Sequence, residues 1–227
     1  MDAVAEPSSM VRQGRDGDDV RAGVVLAGGH STRFGDEDKS VAPLAGTPMI
    51  RRVVDRLEPI VDDIVVNCRS EQVPRIEAAL EGGPDASFAI DPVDDRGPMA
   101  GISTGLRETT ASYAAVVACD MPFVDPALVD HLFERADGRD AAVPRLEDRW
   151  YQTTQAVYRV DAMIDACERA LARDERRIVA PLDDLEFVVV DEEEVRAHAP
   201  LEAFENVNTR EELAEARERL ETARDDE

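Results

Sequence analysis

Short, nearly unbroken apolar runs alternate along the chain with longer stretches in which apolar residues recur every three or four positions. The runs are "AGVVLA" (22–27), "DIVVNC" (63–68), "ASFAID" (86–91), "YAAVVACD" (113–120), "DAAVP" (140–144) and "LEFVVVDE" (185–192). Each reads as a strand buried on both faces. "TPMIRRVVDRLEPI" (47–60) predicts a helix with Thr47 as N-cap, Pro48 in its first turn, and Met49, Ile50, Val53, Val54 and Leu57 on its inner face. Further helices are expected over 71–82 (with Pro74 near its start), 98–109, 126–136 and 161–173. A closing helix spans 208–224, capped by Asn208 or Thr209. "WYQTTQAVYR" (150–159) reads as extended.

Strands separated by helices define an α/β fold: a doubly wound, mostly parallel sheet with helices on both faces. Ligands in such folds sit outside the carboxyl ends of the strands. Here those ends carry Gly28-Gly29, Asn67, Asp91 and Asp120.

A length of 227 residues suits one large domain, and no linker is visible after residue 22. Residues 1–20 are polar and acidic and read as a tail; 21–227 read as the domain. The start has no apolar core of a secretory signal, and no run approaches the ~20 apolar residues that span a bilayer. A cytoplasmic protein with no membrane partner is expected. Cys68, Cys119 and Cys167 are widely spaced, which points to buried reduced thiols rather than disulfides or a zinc site.

Charge sharpens this picture. Fifty acidic residues face 26 basic ones, for a net charge of −24. The acids run the length of the chain, so they do not form a partner-binding tail. They suit high salt, where a Debye length of about 3 Å screens self-repulsion. No basic stripe exists to hold a nucleic acid.

Among the basic residues a single lysine, Lys39, stands in "LAGGHSTRFGDEDKS" (26–40). Glycines straight after a strand let backbone N–H groups approach a phosphate, and Arg33 and Lys39 reach it from the same loop. The spacing matches neither the dinucleotide-binding fingerprint nor the P-loop. A tight turn with surface cations is the other reading, but a task-free lysine should have been as replaceable as the rest. An ammonium is a compact point charge, unlike the planar guanidinium fork.

Asp120, at the end of an apolar strand, is placed either to hold a hard divalent cation or to cap the turn that follows. In "FAIDPVDDRGPMAGISTGL" (88–106), Asp91, Asp94 and Asp95 precede Gly97, Gly101 and Gly105, whose smallness serves a ligand or the packing of a helix on the sheet. Asn206 and Asn208 share one side of an extended segment, so Asn208 offers either a neutral metal ligand or a helix cap. His30 lies in the glycine loop; His131 and His198 read as surface residues.

Taken together, "VVLAGGHSTRFGDEDK", "VVNCR", "DPVDDRGPMAGISTGL", "CDMPFVDP" and "FENVNT" resemble the molybdenum cofactor guanylyltransferases, within the nucleotidyltransferase superfamily. The resemblance covers residues 22 to about 215. It implies a Rossmann-like fold and transfer of GMP from GTP to molybdopterin or a related phosphate-bearing acceptor, with Mg²⁺ and release of pyrophosphate. It also implies that Leu26, Ala27 and Gly28, with Gly29 beside them, line the nucleotide. Lys39 would contact its phosphates, Asn67 and Asp91 the nucleotide, and Asp120 both nucleotide and metal. Asn208 would be a second metal ligand. Lys39, Arg33 and Asp120 would then carry the catalysis. In "QTTQAVY" (152–158) the chain departs from the family's usual Q-P-L-x-A-V-Y.

Overall fold

The computed structural model describes residues 20–29, 38–91, 97–147 and 150–225. In chain order, β1 (Arg21–Leu26) leads to a hairpin of β2 (Pro43–Leu44) and β3 (Thr47–Pro48), followed by α1 (Met49–Leu57) and β4 (Asp63–Cys68). Next come α2 (Val73–Leu80), β5 (Ser87–Ile90), α3 (Pro98–Leu106), β6 (Tyr113–Ala118), α4 (Pro126–Ala136) and β7 (Ala141–Arg145). The chain continues through β8 (Gln155–Arg159), α5 (Val160–Ala172), β9 (Phe187–Asp191), α6 (Glu192–His198) and α7 (Arg210–Asp225).

Seven strands form one sheet in the order β5-β4-β1-β6-β8-β7-β9. The neighbours β5-β4-β1-β6 all pair in parallel. β8 runs antiparallel to both β6 and β7, and β7 is parallel to β9. The expected mostly parallel sheet is therefore present, with one reversed strand.

Helices cover both faces. Val25, Val66 and Val117 belong to one core with residues of α1, α2, α4 and α6. Val24, Val65 and Val116 point the other way, into a second core with α3 and α5. This alternation is the two-residue period of a strand buried on both sides. All five apolar positions expected on the inner face of α1 are buried, each contributing roughly 1.5–3 kcal/mol relative to exposure. A third, smaller cluster of Leu44, Met49, Val207 and Ala216 anchors α7 beside the hairpin.

Three local expectations change. Thr47 is not the cap of α1; it lies in β3, paired with Leu44. The two-residue turn Ala45-Gly46 has φ of 48° and 83°, the doubly positive geometry of a tight hairpin. It draws Thr47 into pairing, and the Met49 amide donates to the Ala42 carbonyl at 3.0 Å. Of the extended stretch 150–159, only Gln155–Arg159 is strand. Before it the chain turns, with the Gln152 amide on the Pro144 carbonyl at 2.8 Å. Asp191 ends β9 and caps α6, accepting from the Glu194 amide at 2.9 Å; that helix is too short to show a period in the sequence. All three cysteines are buried and unpaired with one another.

Candidate active site

The carboxyl ends of β1, β4, β5 and β6 open onto a cleft of about 330 Å³. Leu26, Ala27, Gly28 and Gly29 form one wall; Lys39, Asn67, Asp91 and Asp120 also line it. Eight residues singled out in sequence thus meet in one place. Asn208 joins through Lys39. Arg33, His30, Asp94 and Asp95 lie outside the described residues. His131 and His198 stack on each other, 3.7 Å between ring centroids, away from the cleft lining.

Lys39 occupies the centre of the polar contacts. Its Nζ donates to Asp120 Oδ2 at 2.5 Å and to Asn208 Oδ1 at 2.9 Å. Lys39 and Asp120 side chains are only 18% and 15% exposed, so the pair is shielded from solvent screening. Asp120 does not act simply as a turn cap: its Oδ1 is buried and takes no hydrogen bond among the described residues. Its backbone carbonyl accepts from the Val207 amide at 2.8 Å, which brings the segment before α7 to the end of β6. Thr209 Oγ1 accepts from the Glu212 amide at 3.1 Å, and the Glu212 carboxylate accepts from the Thr209 amide at 3.0 Å. This reciprocal pair caps α7. The Asn208 side chain, spared that duty, faces Lys39.

Two carboxylate oxygens of Asp120 and one amide oxygen of Asn208 form a hard donor set of the kind Mg²⁺ takes. The partnerless, buried Oδ1 marks a ligand position left by the protein's own bonds. The residues present therefore fit a divalent ion, even though no group of three or more acidic, histidine or cysteine residues with metal-site geometry occurs among the described residues. Mg²⁺ keeps most of its shell from water and phosphate, so one or two protein oxygens suffice.

Across the cleft, buried Asn67 donates from Nδ2 to Asp91 Oδ1 at 2.8 Å and to the Ala89 carbonyl at 3.2 Å. Asn67 thus fixes the Asp91 carboxylate at the cleft wall. The arrangement needs small residues. A Cβ at Gly101 would stand 2.5 Å from Asn67 Oδ1, and one at Gly28 would stand 2.9 Å from Asp91 Oδ2. Gly105 serves packing instead, since its Cβ would meet Val24 Cγ1 at 2.5 Å.

Sequence reasoning missed Gln72. It is buried, and its Nε2 donates to the Ala27 carbonyl at 3.0 Å and to Asp38 Oδ2 at 2.7 Å. Asp38 Oδ1 accepts from the Ser40 amide at 3.1 Å and from Ser40 Oγ at 2.8 Å. Gln72 therefore ties the wall after β1 to the short turn that carries Lys39. The Arg69 amide donating to Gln72 Oε1 at 3.0 Å closes the network. A polar residue four positions beyond a strand is too common a signal to have been noticed. Arg69 Nη1 also donates to the Gly28 carbonyl at 3.2 Å, a second cation beside the glycine wall. Burial, reinforced by Asp91, Asp38 and Glu71, pushes the Cys68 thiol up to about 12. Burial and Asp120 push Cys119 up as well. Both stay protonated and unreactive at neutral pH.

A parallel sheet whose strand ends gather a glycine wall, a shielded lysine and a carboxylate with a buried open oxygen is an α/β fold with its candidate site at the carboxyl ends of the strands. The chain belongs to the MobA-like NTP transferase domain family, which matches residues 23–186. It is 52% identical over 200 residues to a probable molybdenum cofactor guanylyltransferase of Natronomonas pharaonis, covering 88% of this chain and 98% of that protein. It is 40% identical over 210 residues to the probable molybdenum cofactor guanylyltransferase of Haloferax mediterranei, covering 92% and 97%. Among solved structures, molybdopterin-guanine dinucleotide biosynthesis protein A from Archaeoglobus fulgidus superposes with a TM-score of 0.75 at 31% identity, covering 88% of this chain and 99% of that one.

Proposed function

We propose that this nucleotidyltransferase moves GMP from GTP to molybdopterin and releases pyrophosphate. The observation that supports the reading most is the pairing of Lys39 with Asp120 in the lining of a glycine-walled cleft, with Asn208 bonded to Lys39, in a chain so similar to proteins bearing that name. An oxygen of the acceptor's phosphate attacks the α-phosphorus; the bond to the β-phosphate breaks, and pyrophosphate leaves with its electrons. No covalent enzyme intermediate is required, so the protein contributes orientation and charge.

The backbone of residues 26–29 would lie against the nucleotide, where the absence of side chains at Gly28 and Gly29 admits it. Asp91, fixed by Asn67, would accept hydrogen bonds from the nucleoside. Lys39 would move onto the phosphates and, with Arg33, offset charge on the departing pyrophosphate. Asp120 and Asn208 would hold Mg²⁺, which when bound supplies Lewis-acid neutralisation of the triphosphate.

The test offers purified protein Mg²⁺ and each of the four nucleoside triphosphates, with molybdopterin or with adenosylcobinamide phosphate, and identifies products by mass. A guanine dinucleotide of molybdopterin is the expected product. A product only on the cobinamide acceptor replaces molybdopterin in the reading. Nucleotide binding without pyrophosphate release under any pairing makes the chain a binding protein instead.

A further inference from the structure

The lone lysine sits where a metal ion would. We propose that, in the nucleotide-free enzyme, the Lys39 ammonium holds the cation position between Asp120 and Asn208, so that a divalent ion joins the site only with a triphosphate that draws the lysine away. This rests on reading Asp120 and Asn208 as metal ligands, and it adds an order to the events.

The geometry carries it. Nζ lies 2.5 Å from Asp120 Oδ2 and 2.9 Å from Asn208 Oδ1. Those two oxygens come from distant parts of the chain, the end of β6 and the segment before α7, and they converge on one cationic atom. A second cation on the same oxygens would face the ammonium at contact distance in a shielded site, where repulsion is strong. The two occupants exclude each other.

The lysine is built to leave. Its backbone is fixed in a short turn (Lys39–Val41) that Asp38 caps from its side chain, and Gln72 holds Asp38. Only the four-carbon stem need swing, from the oxygens of Asp120 and Asn208 toward phosphates along the wall after β1. Without an occupant, a shielded Asp120 would stand charged and unpartnered; the ammonium answers that cost until metal arrives. An arginine would not serve. Its planar guanidinium is too broad to sit where a single ion sits, and it bonds through a fork rather than a point. In a chain with no other lysine, a stand-in for a cation is a reason to carry one.

The experiment measures Mn²⁺ binding to nucleotide-free protein by electron paramagnetic resonance of the free ion. Wild type, Lys39→Met, Asp120→Asn and the Lys39→Met/Asp120→Asn double variant are compared at fixed KCl. Lys39→Met should bind one Mn²⁺ on the order of 10–100-fold more tightly than wild type, the scale on which neighbouring groups tune a metal site. The double variant should lose that gain. Equal affinity in wild type and Lys39→Met overturns the proposal, as does a gain that survives Asp120→Asn.

A second measurement needs no lysine variant. Because the chain has one lysine, lysine-specific ¹³Cε labelling gives a single side-chain signal. That signal should move in nucleotide-free Asp120→Asn and again when wild type receives Mg²⁺ with a non-hydrolysable GTP analogue. An Asp120→Asn signal identical to wild type overturns the proposal. The Mn²⁺ affinities and the Asp120→Asn signal are read without nucleotide or acceptor. A wild type that makes the dinucleotide yet binds Mn²⁺ as tightly as Lys39→Met therefore defeats this inference alone.

Discussion

The two halves of the sheet use the same layers differently. In β5-β4-β1-β6 all pairings are parallel, and every carboxyl end delivers a polar residue or a glycine wall to the cleft. In β8-β7-β9 the reversed strand β8 turns the chain back, and among the described residues this half lends the cleft lining only Thr154, just ahead of β8. Parallel strands all point their carboxyl ends to one edge, so successive strands stack functional ends side by side. A reversed strand presents its start at that edge and breaks the series. On the proposed function, the parallel half would serve the nucleotide, and we propose that the mixed half serves the acceptor.

The hardest blow to the parallel half is Lys39→Ala. Loss of one preorganised electrostatic partner costs ~10²–10³ in rate, so kcat should fall on that scale. Lys39→Arg should be nearly as poor, because the fork does not reproduce a point charge. Asp120→Asn should fall similarly and lose its dependence on Mg²⁺ concentration. Initial rates of pyrophosphate release, with far-ultraviolet circular dichroism confirming the fold, decide it. Wild-type turnover in a folded Lys39→Ala protein breaks the comparison at its centre.

Much of the parallel half was legible because its signals are local. The run "VVACD" places Asp120 at a strand end by itself, and "LAGG" does the same for the glycine wall. Lys39 stood out through composition, being a solitary lysine against an arginine background. What stayed hidden needs partners distant in sequence. Nothing in the chain announces that Asn208 meets Lys39 across 169 positions, or that Gln72 reaches back 34 to Asp38. The β2-β3 hairpin was missed because Ala45 adopts a positive φ without the Asn or Gly that usually marks it. In the mixed half, β8 was read only as extended, since an apolar run does not state its direction.

A smaller effect should come from Gly101→Ala. The new Cβ would stand 2.5 Å from Asn67 Oδ1, so Asn67 must shift and release Asp91. Overpacking of this kind costs about 1–3 kcal/mol, a drop of roughly 2–4 °C in Tm per kcal/mol at this size. The dissociation constant for GTP should rise with it, while Gly138→Ala, outside the cleft, should leave GTP affinity alone. Unchanged GTP affinity in Gly101→Ala would detach Asn67 and Asp91 from nucleotide binding.

Alkaline pH probes both halves at once. Burial raises Cys68, beside the cleft, and Cys167, on α5 behind the mixed half, from 9.0 to about 12. Each thiol keeps its proton in the fold after the unfolded chain has lost it. Their stabilisation is therefore complete below pH 9 and lost as pH climbs from about 9 toward 12. Tm should decline over that window, less steeply in Cys68→Ala and in Cys167→Ala. A single transition throughout would show the halves melting as one unit; two would show that they part.

Salt should act more gently and on the whole exterior. A net charge of −24 repels itself more in the compact state than in the unfolded chain. Raising KCl from ~0.1 to ~3 M shortens the Debye length from about 10 Å to under 3 Å. Tm should therefore rise by several degrees, about 1–2 kcal/mol at this chain length. Lys39 and Asp120 are shielded, so their pairing should weaken little. A flat or falling Tm rejects adaptation to salt without touching the site.

The gentlest test falls on the mixed half itself. Thr154 lines the cleft, and its carbonyl accepts from the Ala118 amide at 3.0 Å, joining the turn to β6. Among the described residues its hydroxyl contacts only the weak acceptor Met121 Sδ, at 3.9 Å, so it retains capacity for a stronger partner in the cleft. Thr154→Val preserves the shape and the backbone bond and removes that hydroxyl alone. If the mixed half serves the acceptor, the KM for molybdopterin should rise by a few-fold, the worth of one hydrogen bond at about 0.5–1.5 kcal/mol. The dissociation constant for GTP should stay put, because the residues offered to the nucleotide come from the ends of β1, β4, β5 and β6 and from the segment between β1 and β2 that carries Lys39. The opposite split, weaker GTP binding with the acceptor unaffected, would mean that the nucleotide spans both halves. The division of labour would then be one of strand direction only, and not of substrate.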